Sequence, residues 1–317
     1  MRIGIVGYGK LGRAAECMAA RLENYEVKGI FSRRAAAVDP DAKIYSIDDI
    51  INFKAEIDCL LICQGSSGDT PSVTPNLAVH FNTVDSYDRH GDIARHRSAV
   101  DGAARLGGNL SVVSVGWDPG LFSLFRIYTS AFMPYGVTNT FWGRGISQGH
   151  SEAICRIRGV SRAVQYTVPK AEALTLAESG VRLSDTERHR RVCYIVAEPG
   201  EEERISEEIK RMDGYFLGYD VEIHFINESE FLKEHRGAAH GGRIISIGRS
   251  GAYGENQARI ELSLAVDSNP EFTAGVMLSS AAAALRMRKE GRLGAFTLSE
   301  IPPAYLLPLG RSELDYM

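Results

Sequence analysis

Three glycines near the start of the chain have the spacing Gly-x-Gly-x-x-Gly, at Gly7, Gly9 and Gly12, directly after an apolar run. In dinucleotide sites, the first glycine permits a tight turn, the second lets backbone approach the pyrophosphate, and the third lets a helix pack on the strand. The phosphates bind free N–H groups at the helix N-terminus. The alternative is an ordinary glycine-rich turn. The motif predicts a cofactor site that contains Gly7, Tyr8, Gly9, Lys10, Leu11 and Gly12.

The residues after the predicted second strand, 26–31, bear on which dinucleotide binds. A site for NAD places a carboxylate about twenty residues past the last glycine, where it binds the ribose 2′-hydroxyl. Here the residues are Ser32, Arg33 and Arg34. A hydroxyl and two guanidinium groups can bind a 2′-phosphate, which a carboxylate would repel. We therefore predict NADP, with two solvated arginines opening a loop as the alternative.

Two carboxylates lie in loops that follow predicted strands. Asp88 is in the segment 85–90 and Asp118 in the segment 116–120. We expect both to face the cofactor, where a carboxylate can hold an amino group and accept its proton. Each can instead be a turn aspartate that bonds its own backbone, as Asp before Pro-Gly often does.

The elements that must position these groups alternate between strand and helix in the first third of the chain. Apolar runs predict further strands at 57–63, 82–85 and 110–115, and helical spacing predicts helices at 11–22, 74–80 and 92–106. This rhythm predicts a doubly wound parallel sheet. Ligands of such sheets bind beyond the carboxyl ends of the strands. The loops there are 64–69, 86–91 and 116–120.

The pattern changes after Pro119. We predict a helix at 121–133, then strands at 135–145, 163–169, 191–197, 219–226 and 259–266, with helices within 171–179, 201–212 and 272–289. Many strands with few helices between them indicate a largely antiparallel sheet in a second, α+β domain. The glycine-rich segment 248–254 is predicted to be a loop near a dimer contact.

Composition narrows the class of protein. The chain has 317 residues and a formal net charge of −4, so it can form two domains and has no basic stripe for nucleic acid. Its five cysteines have no Cys-x-x-Cys spacing, which argues against zinc and disulfides. No metal motif is found. No apolar run approaches the length of about 18 residues that a membrane helix needs, and we expect a cytoplasmic protein without a membrane partner.

Short motifs in order along the chain point to one family. They are Gly-Tyr-Gly-Lys-Leu-Gly (7–12), Phe-Ser-Arg-Arg (31–34), Val-Asp-Ser-Tyr-Asp-Arg-His (84–90), Gly-Trp-Asp-Pro-Gly (116–120), Thr-Phe-Trp-Gly (140–143), Ser-Gln-Gly-His (147–150) and His-Gly-Gly (240–242). Further matches are Asn-Pro-Glu-Phe-Thr-Ala (269–274) and Gly-Ala-Phe-Thr (294–297). Together these motifs resemble those of the meso-diaminopimelate dehydrogenases, over nearly the whole chain.

The resemblance implies a fold and an activity. The fold is a Rossmann-type dinucleotide-binding domain at 1–117 plus 268–317, with an α+β substrate-binding and dimerisation domain at 118–267. The activity is reversible, NADP-dependent oxidative deamination of meso-2,6-diaminopimelate at its D-configured carbon, which gives L-2-amino-6-oxopimelate and ammonia. Members of the family are homodimers of bacterial lysine and cell-wall metabolism.

The resemblance also implies residue roles. Asp88 and Asp118 are the catalytic candidates, with Trp117 beside the reacting centre. Trp142, Gly143, Ser147 and Gln148 line the pocket, and Thr167, Arg191, His240 and Asn269 hold the distal end of the substrate. The cofactor set further includes Gly65 and Ser66.

Several alternatives stay open at this point. Arg190 can take the place of Arg191, His240 can cap a turn before Gly-Gly, and Arg144 stands where the family has proline, which leaves the pocket lip undefined. The same fold can also serve a broader D-amino acid dehydrogenase that aminates other 2-oxo acids. A dinucleotide-binding sensor without turnover is the third possibility, although a sensor has no need of the two loop aspartates.

Overall fold

The computed structural model describes residues 1–33, 44–65, 68–143, 145–235 and 240–308. Arg34, Ser66 and Arg144 lie outside the described residues, as does the side chain of Gln148. The chain forms two compact units, which we call the first unit (Met1–Leu124 with Pro270–Met317) and the second unit (Phe125–Asn269).

The first unit is built on a parallel sheet of seven strands. The strands are β1 (Arg2–Val6), β2 (Glu26–Ser32), β3 (Ile44–Ser46), β4 (Cys59–Ile62), β5 (Thr83–Asp85), β6 (Leu110–Val112) and β14 (Gly294–Phe296). Their order across the sheet is β14-β6-β5-β4-β1-β2-β3. The associated helices are α1 (Lys10–Ala19), α2 (Thr70–Ala78), α3 (Ile93–Gly107) and α10 (Asn269–Lys289).

Apolar residues cover both faces of this sheet because neighbouring strand residues point to opposite sides. Ile5 packs in a cluster with Ala15 of α1 and Met277 of α10, whereas Val6 packs in another cluster with Leu77 of α2. The alanine run 281–284 is fully buried within α10, as expected of a helix interior. Helices on two faces of a parallel sheet confirm the predicted doubly wound α/β fold.

The second unit contains two smaller sheets, in the orders β11-β10-β9-β8 and β13-β12-β7. The strands are β7 (Val137–Trp142), β8 (Gly145–Ile146), β9 (Val160–Pro169), β10 (His189–Ala197), β11 (Asp220–Phe225), β12 (His240–Ser250) and β13 (Asn256–Val266). All pairings are antiparallel except that of β10 with β11. The helices are α4 (Phe122–Phe132), which starts in the first unit, α5 (Gln148–Cys155), α6 (Ala171–Glu178), α7 (Asp185–Arg188), α8 (Glu202–Lys210) and α9 (Glu228–Glu234).

Strand β12 corrects the sequence-based prediction of a loop at 248–254. Gly248 and the two residues after it continue this strand, and the turn to β13 comes only at 251–255. Glycines are rare in strands, which hid β12 from the sequence pattern. In β12 the glycines are needed for close packing. A Cβ on Gly241 would lie 2.3 Å from the Leu264 carbonyl oxygen, and one on Gly248 would lie 2.8 Å from Met133 Sδ.

The glycine motif forms the junction of β1 with α1. Gly7 has φ +93°, which glycine adopts without strain. A Cβ on Gly12 would lie 2.1 Å from the carbonyl oxygen of Gly7, far inside van der Waals contact. Gly12 therefore sets how close the first turn of α1 comes to the end of β1.

We predict that Gly12→Ala destabilises the protein by about 1–3 kcal/mol, because the added methyl group pushes helix and strand apart. Gly102→Ala is the matched control, since Gly102 lies in α3 and a Cβ there would meet nothing within 4 Å. It should stabilise by roughly 0.5–1 kcal/mol, as alanine does in helix interiors. Urea unfolding measures both values. Equal stability of Gly12→Ala and the unsubstituted protein would contradict this explanation.

Candidate active site

The carboxyl edge of the parallel sheet gathers the loops that were predicted to bind the cofactor. Gly9 is the N-cap of α1 and offers no side chain to the N–H groups of the first turn. A Cβ on Gly9 would meet no protein atom within 4 Å. Packing of the protein itself therefore does not demand glycine at this position. This fits the prediction that a bound pyrophosphate demands it, and that the free N–H groups of α1 are its donors.

Arg33 and Asp69 form an ion pair at this edge, with Nη2 and Oδ2 2.5 Å apart. Arg33 follows β2, while Asp69 precedes α2 in the loop after β4, and these two strands flank β1 in the sheet. The pair thus connects the loops on either side of the glycine turn. Ser32 is the last residue of β2. Gly65 lies in the loop after β4, and its carbonyl oxygen accepts a hydrogen bond from the Thr70 hydroxyl.

The two candidate catalytic carboxylates follow β5 and β6, which are neighbours in the sheet. Asp88 is exposed, and Asp118 is half-buried in a turn closed by the Leu121 N–H on the Gly116 carbonyl. The peptide bond from Asp118 to Pro119 is cis. Both carboxylates therefore lie at the sheet edge where a dinucleotide binds in this type of fold.

Trp117 lies in the same turn, 116–121, and anchors it by its buried side chain. Its side chain is buried, and its ring meets Phe122 edge to face with the centroids 5.1 Å apart. Gly120, with φ +128°, completes the turn into α4, and its N–H donates to Ser123 Oγ. Asp118 thus stands between a buried aromatic anchor and a helix start.

In the second unit, Arg191 is buried beside Thr167. The two residues face each other across β10 and β9, and Arg191 Nη1 donates to Thr167 Oγ1. The guanidinium carbon lies 4.1 Å from the centroid of the Tyr219 ring, a cation–π arrangement. Burial lowers the pKa of Arg191, and the Nε atom has no hydrogen-bond partner.

Across the described part of the chain, no carboxylate lies within ion-pair distance of Arg191. A buried cation is costly unless an anion pairs with it, so this geometry suits a ligand carboxylate. The neighbouring Arg190 points to the opposite face of β10, where it is exposed and lies 3.4 Å from Glu222 Oε2. The alternation along β10 therefore favours Arg191 over Arg190 as the carboxylate-binding residue.

Glycines bring the other predicted pocket residues close to Thr167. A Cβ on Gly143 would lie 2.1 Å from the Thr167 carbonyl oxygen, and one on Gly145 would lie 2.4 Å from His240 Nδ1. Gly143 N–H donates to the Gly241 carbonyl oxygen. His240 begins β12, and its Nδ1 accepts the N–H of the next residue, Gly241.

Two histidines that the sequence analysis left without a role contact residues that are predicted to line the pocket. His150 Nδ1 is 2.7 Å from Ser147 Oγ, and burial together with the charge of Arg191 lowers the pKa of His150 to about 3. His189 is fully buried and stacks on Trp142. Neither histidine has a metal-ligand spacing in the sequence, and a lone histidine gives no signal of such a supporting role. Only the fold reveals it.

The remaining predicted site residues lie at the starts of helices. Ser147 is the N-cap of α5, the helix that begins at Gln148, and its N–H donates to the Gln165 carbonyl oxygen. Asn269 is the first residue of α10. Within the described ranges, no group of three or more His, Cys, Asp or Glu residues is arranged to hold a metal ion.

Comparison with known proteins identifies the family of the chain. Residues 116–268 match the family model of the diaminopimelic acid dehydrogenase C-terminal domain. The meso-diaminopimelate D-dehydrogenases of Acetivibrio thermocellus and Corynebacterium glutamicum are 44% and 42% identical to the chain, over 99% of its length and 96% and 98% of theirs. The chain belongs to the meso-diaminopimelate D-dehydrogenase family.

Solved structures of the family superimpose on nearly the whole chain. The C. glutamicum DAP dehydrogenase in complex with DAP has a TM-score of 0.94 at 42% identity, covering 99% of this chain and 97% of that one. An engineered D-amino acid dehydrogenase bound to NADP+ has a TM-score of 0.90 at 40% identity, covering 100% and 98%. Among the described residues, no helix has the length and apolar character that a bilayer crossing requires.

The buried His189 makes stability depend on pH. Its Nδ1–H donates to the Asp185 carbonyl oxygen, its Nε2 accepts the Trp142 N–H, and burial lowers its pKa to about 4. As the pH falls, the imidazole of His189 therefore takes up a proton at about pH 6.5 in the unfolded chain but only at about pH 4 in the folded chain. The contribution of the neutral His189 to the free energy of unfolding is therefore fully present above about pH 6.5 and is lost as the pH falls towards about 4.

We predict that the unsubstituted protein loses about 1–2 kcal/mol more unfolding free energy between pH 7 and pH 5 than His189→Gln does. Urea unfolding at both pH values, at one protein concentration, measures the difference. His80→Gln is the control, because His80 is exposed, and it should lose as much as the unsubstituted protein. An equal loss in His189→Gln would show that His189 does not resist protonation.

Proposed function

We propose that this protein catalyses the reversible, NADP-dependent oxidative deamination of meso-2,6-diaminopimelate at its D-configured carbon. The products are L-2-amino-6-oxopimelate, ammonia and NADPH, and one water molecule is consumed. The family relationship supports the reaction. The observation on this chain that carries the choice of substrate is the buried Arg191, which has Thr167 beside it and no carboxylate of the described residues in reach. A substrate with a second carboxylate, remote from the reacting carbon, supplies that missing anion.

NADP, when bound, supplies the acceptor for the hydride. We infer that the first turn of α1 binds its pyrophosphate through Gly7, Tyr8, Gly9, Lys10, Leu11 and Gly12, and that the loop residues Gly65 and Ser66 contribute. Ser32, Arg33 and Arg34 are proposed to bind the 2′-phosphate. The ion pair with Asp69 holds the Arg33 guanidinium at the end of β2, and a guanidinium has further N–H groups that can bind phosphate oxygens.

Asp88 and Asp118 are proposed to act on the reacting amino group. Hydride leaves a carbon that bears a neutral amine far more readily than one that bears ammonium. A carboxylate oxygen of Asp88 or Asp118 can hold the ammonium group and take its proton before the hydride moves. Water then opens the resulting imine, releasing ammonia. The buried Trp117, which precedes Asp118 in the chain, is proposed to keep that carboxylate in place.

The second unit is proposed to bind the distal end of the substrate. Arg191 and Thr167 take the distal carboxylate, with His240 and Asn269 as further hydrogen-bonding groups, while Trp142, Gly143, Ser147 and Gln148 line the pocket. Anchoring one end of a flexible molecule reduces the entropy cost of orienting the other. A pocket that demands two carboxylates also disfavours D-amino acids with apolar side chains, which the alternative of a broader dehydrogenase would require.

We further propose that the enzyme is a homodimer in the cytoplasm. The strongly exposed aromatic side chains of Phe132, Tyr135 and Tyr253 in the second unit support an interface there, since such side chains are enriched in protein contacts. The domain roles predicted from the sequence, with cofactor binding in residues 1–117 plus 268–317 and substrate binding in 118–267, are part of the same proposal.

The direct test is NADPH formation by the purified protein with separate diaminopimelate isomers. The meso isomer should be oxidised, and the L,L isomer should give little or no NADPH because it has no D-configured carbon. NADP+ should be used in preference to NAD+. Equal rates on both isomers would contradict the stereochemical assignment. Faster oxidation of D-alanine or D-phenylalanine than of meso-diaminopimelate would favour the broader dehydrogenase.

We predict that Arg191→Met lowers kcat/KM for meso-diaminopimelate by a factor of about 100, the cost of about 3 kcal/mol for a lost charge-assisted clamp. Arg190→Met is the matched control, because Arg190 is adjacent but exposed on the other face of β10. It should stay within about threefold of the unsubstituted enzyme. The reverse ranking of the two variants would assign the carboxylate to Arg190.

A further inference from the structure

A fully buried carboxylate lies at the carboxyl end of β5, three residues before Asp88. Asp85 Oδ1 accepts the N–H of Tyr87 at 3.1 Å and the N–H of Ser114 at 2.9 Å. Its second oxygen, Oδ2, is 2.7 Å from Nε2 of His96, which is itself buried in α3. A buried charge is costly unless it is fully hydrogen-bonded, and these three donors provide that compensation.

His96 also packs against the loop that carries Asp88. Its ring stacks on the Tyr87 ring, with the centroids 4.3 Å apart and the planes 28° from parallel. Tyr87 is 2% exposed. Backbone and side chain of Tyr87 are therefore both held, one by Asp85 and the other by His96. The exposed Asp88 follows directly on this anchored residue.

The same carboxylate holds the loop that leads to Asp118. Ser114 has φ +59°, the one positive value for a non-glycine residue in the described ranges. That conformation is costly for a residue with a Cβ and persists only where the surroundings impose it. Here the Ser114 N–H is fixed by the Asp85 side chain, and the next N–H, of Val115, donates to the Asp85 carbonyl oxygen at 2.8 Å.

We propose that Asp85, supported by His96, is a positioning residue that sets both candidate catalytic carboxylates, Asp88 and Asp118, in register at the sheet edge. This inference rests on the proposed function, because it concerns the groups that take the proton from the substrate. One carboxylate bonds the loops after β5 and β6 to each other, so neither loop can shift without breaking a hydrogen bond to Asp85. The two carboxylates are thereby held as a pair.

The first measurement is the kcat of Asp85→Ala and Asp85→Asn with saturating NADP+ and meso-diaminopimelate. Asp85→Ala should lose kcat by a factor of about 100, the effect of misplacing a catalytic group by about 1 Å. Asp85→Asn should recover to within about tenfold of the unsubstituted enzyme, since its Oδ1 still accepts both N–H groups. Binding of NADP+ should be unchanged, because the glycine motif is not altered.

The matched control is Thr83→Val. Thr83 lies two residues earlier on β5, is as buried as Asp85, and donates to Ser111 Oγ of β6 at 2.8 Å. This hydrogen bond joins the same two strands and involves neither loop. Thr83→Val should lower the free energy of unfolding and leave kcat within about threefold. A loss of kcat in Thr83→Val equal to that in Asp85→Ala would overturn the proposal in favour of a general structural role.

A double-mutant cycle with Asp118→Asn tests whether Asp85 acts through the catalytic carboxylates. If it does, Asp85→Ala should cost at least about tenfold less in the Asp118→Asn background than in the unsubstituted enzyme. The same factor in both backgrounds would mean independent effects and would overturn the proposal. So would unchanged kcat in Asp85→Ala.

Hydrogen exchange provides a readout that does not depend on turnover or on the alanine variant folding. The amide oxygen of Asp85→Asn accepts the two N–H groups more weakly than the carboxylate does, and His96→Phe removes the hydrogen bond that supports Asp85. In both variants, peptides covering 86–91 and 114–120 should exchange faster while the rest of the sheet keeps its protection. Unchanged exchange in those two segments would overturn the proposal. Absence of any turnover of meso-diaminopimelate by the unsubstituted enzyme would instead contradict the proposed function, and the exchange result would still judge the positioning role.

Discussion

The closeness of Gly12 to Gly7 is the constraint on which the cofactor edge depends. Only a residue without a Cβ lets the first turn of α1 start directly over the end of β1, and that placement aims free N–H groups beyond the strand end. The other candidate site residues of the first unit lie at the same edge of the sheet. Arg33 and Asp69 meet across it, while Asp88 and Asp118 follow the neighbouring strands β5 and β6.

Close glycine packing is also what shapes the second unit around Arg191. Gly143 and Gly145 let the backbone approach Thr167 and His240, and Gly241 lets β12 lie tightly against β13. Arg191 is a buried guanidinium, and its charge also acts on two histidines whose pKa values are held far below the ordinary value, mainly by burial. A site of this kind favours an anion over water, because the cation has lost much of its solvation and no carboxylate of the described residues forms an ion pair with it.

Much of the fold and of the candidate site could be predicted from the sequence, and the features that could not be predicted have physical causes. The glycine motif and the strand-helix rhythm predict the parallel sheet because they depend on contacts between residues close in the chain. The sequence did not predict β12, because its glycines are needed for close packing against Leu264 and Met133, which are distant in sequence. That Arg190 and Arg191 lie on opposite faces of β10, one exposed and one buried, became visible only with the register of β10 against β9. His150, His189 and the pair of Asp85 with His96 carry no spacing signal, since their partners are brought to them by the fold.

The central claim is that hydride moves between the nicotinamide and the D-configured carbon of a substrate held by its far end. It is tested most directly by running the reaction in the aminating direction with NADPH that carries deuterium at both C4 positions. One deuterium should appear in the product, on the D-configured carbon of meso-diaminopimelate. Deuterium on the L-configured carbon, or a product that contains none, would contradict the claim.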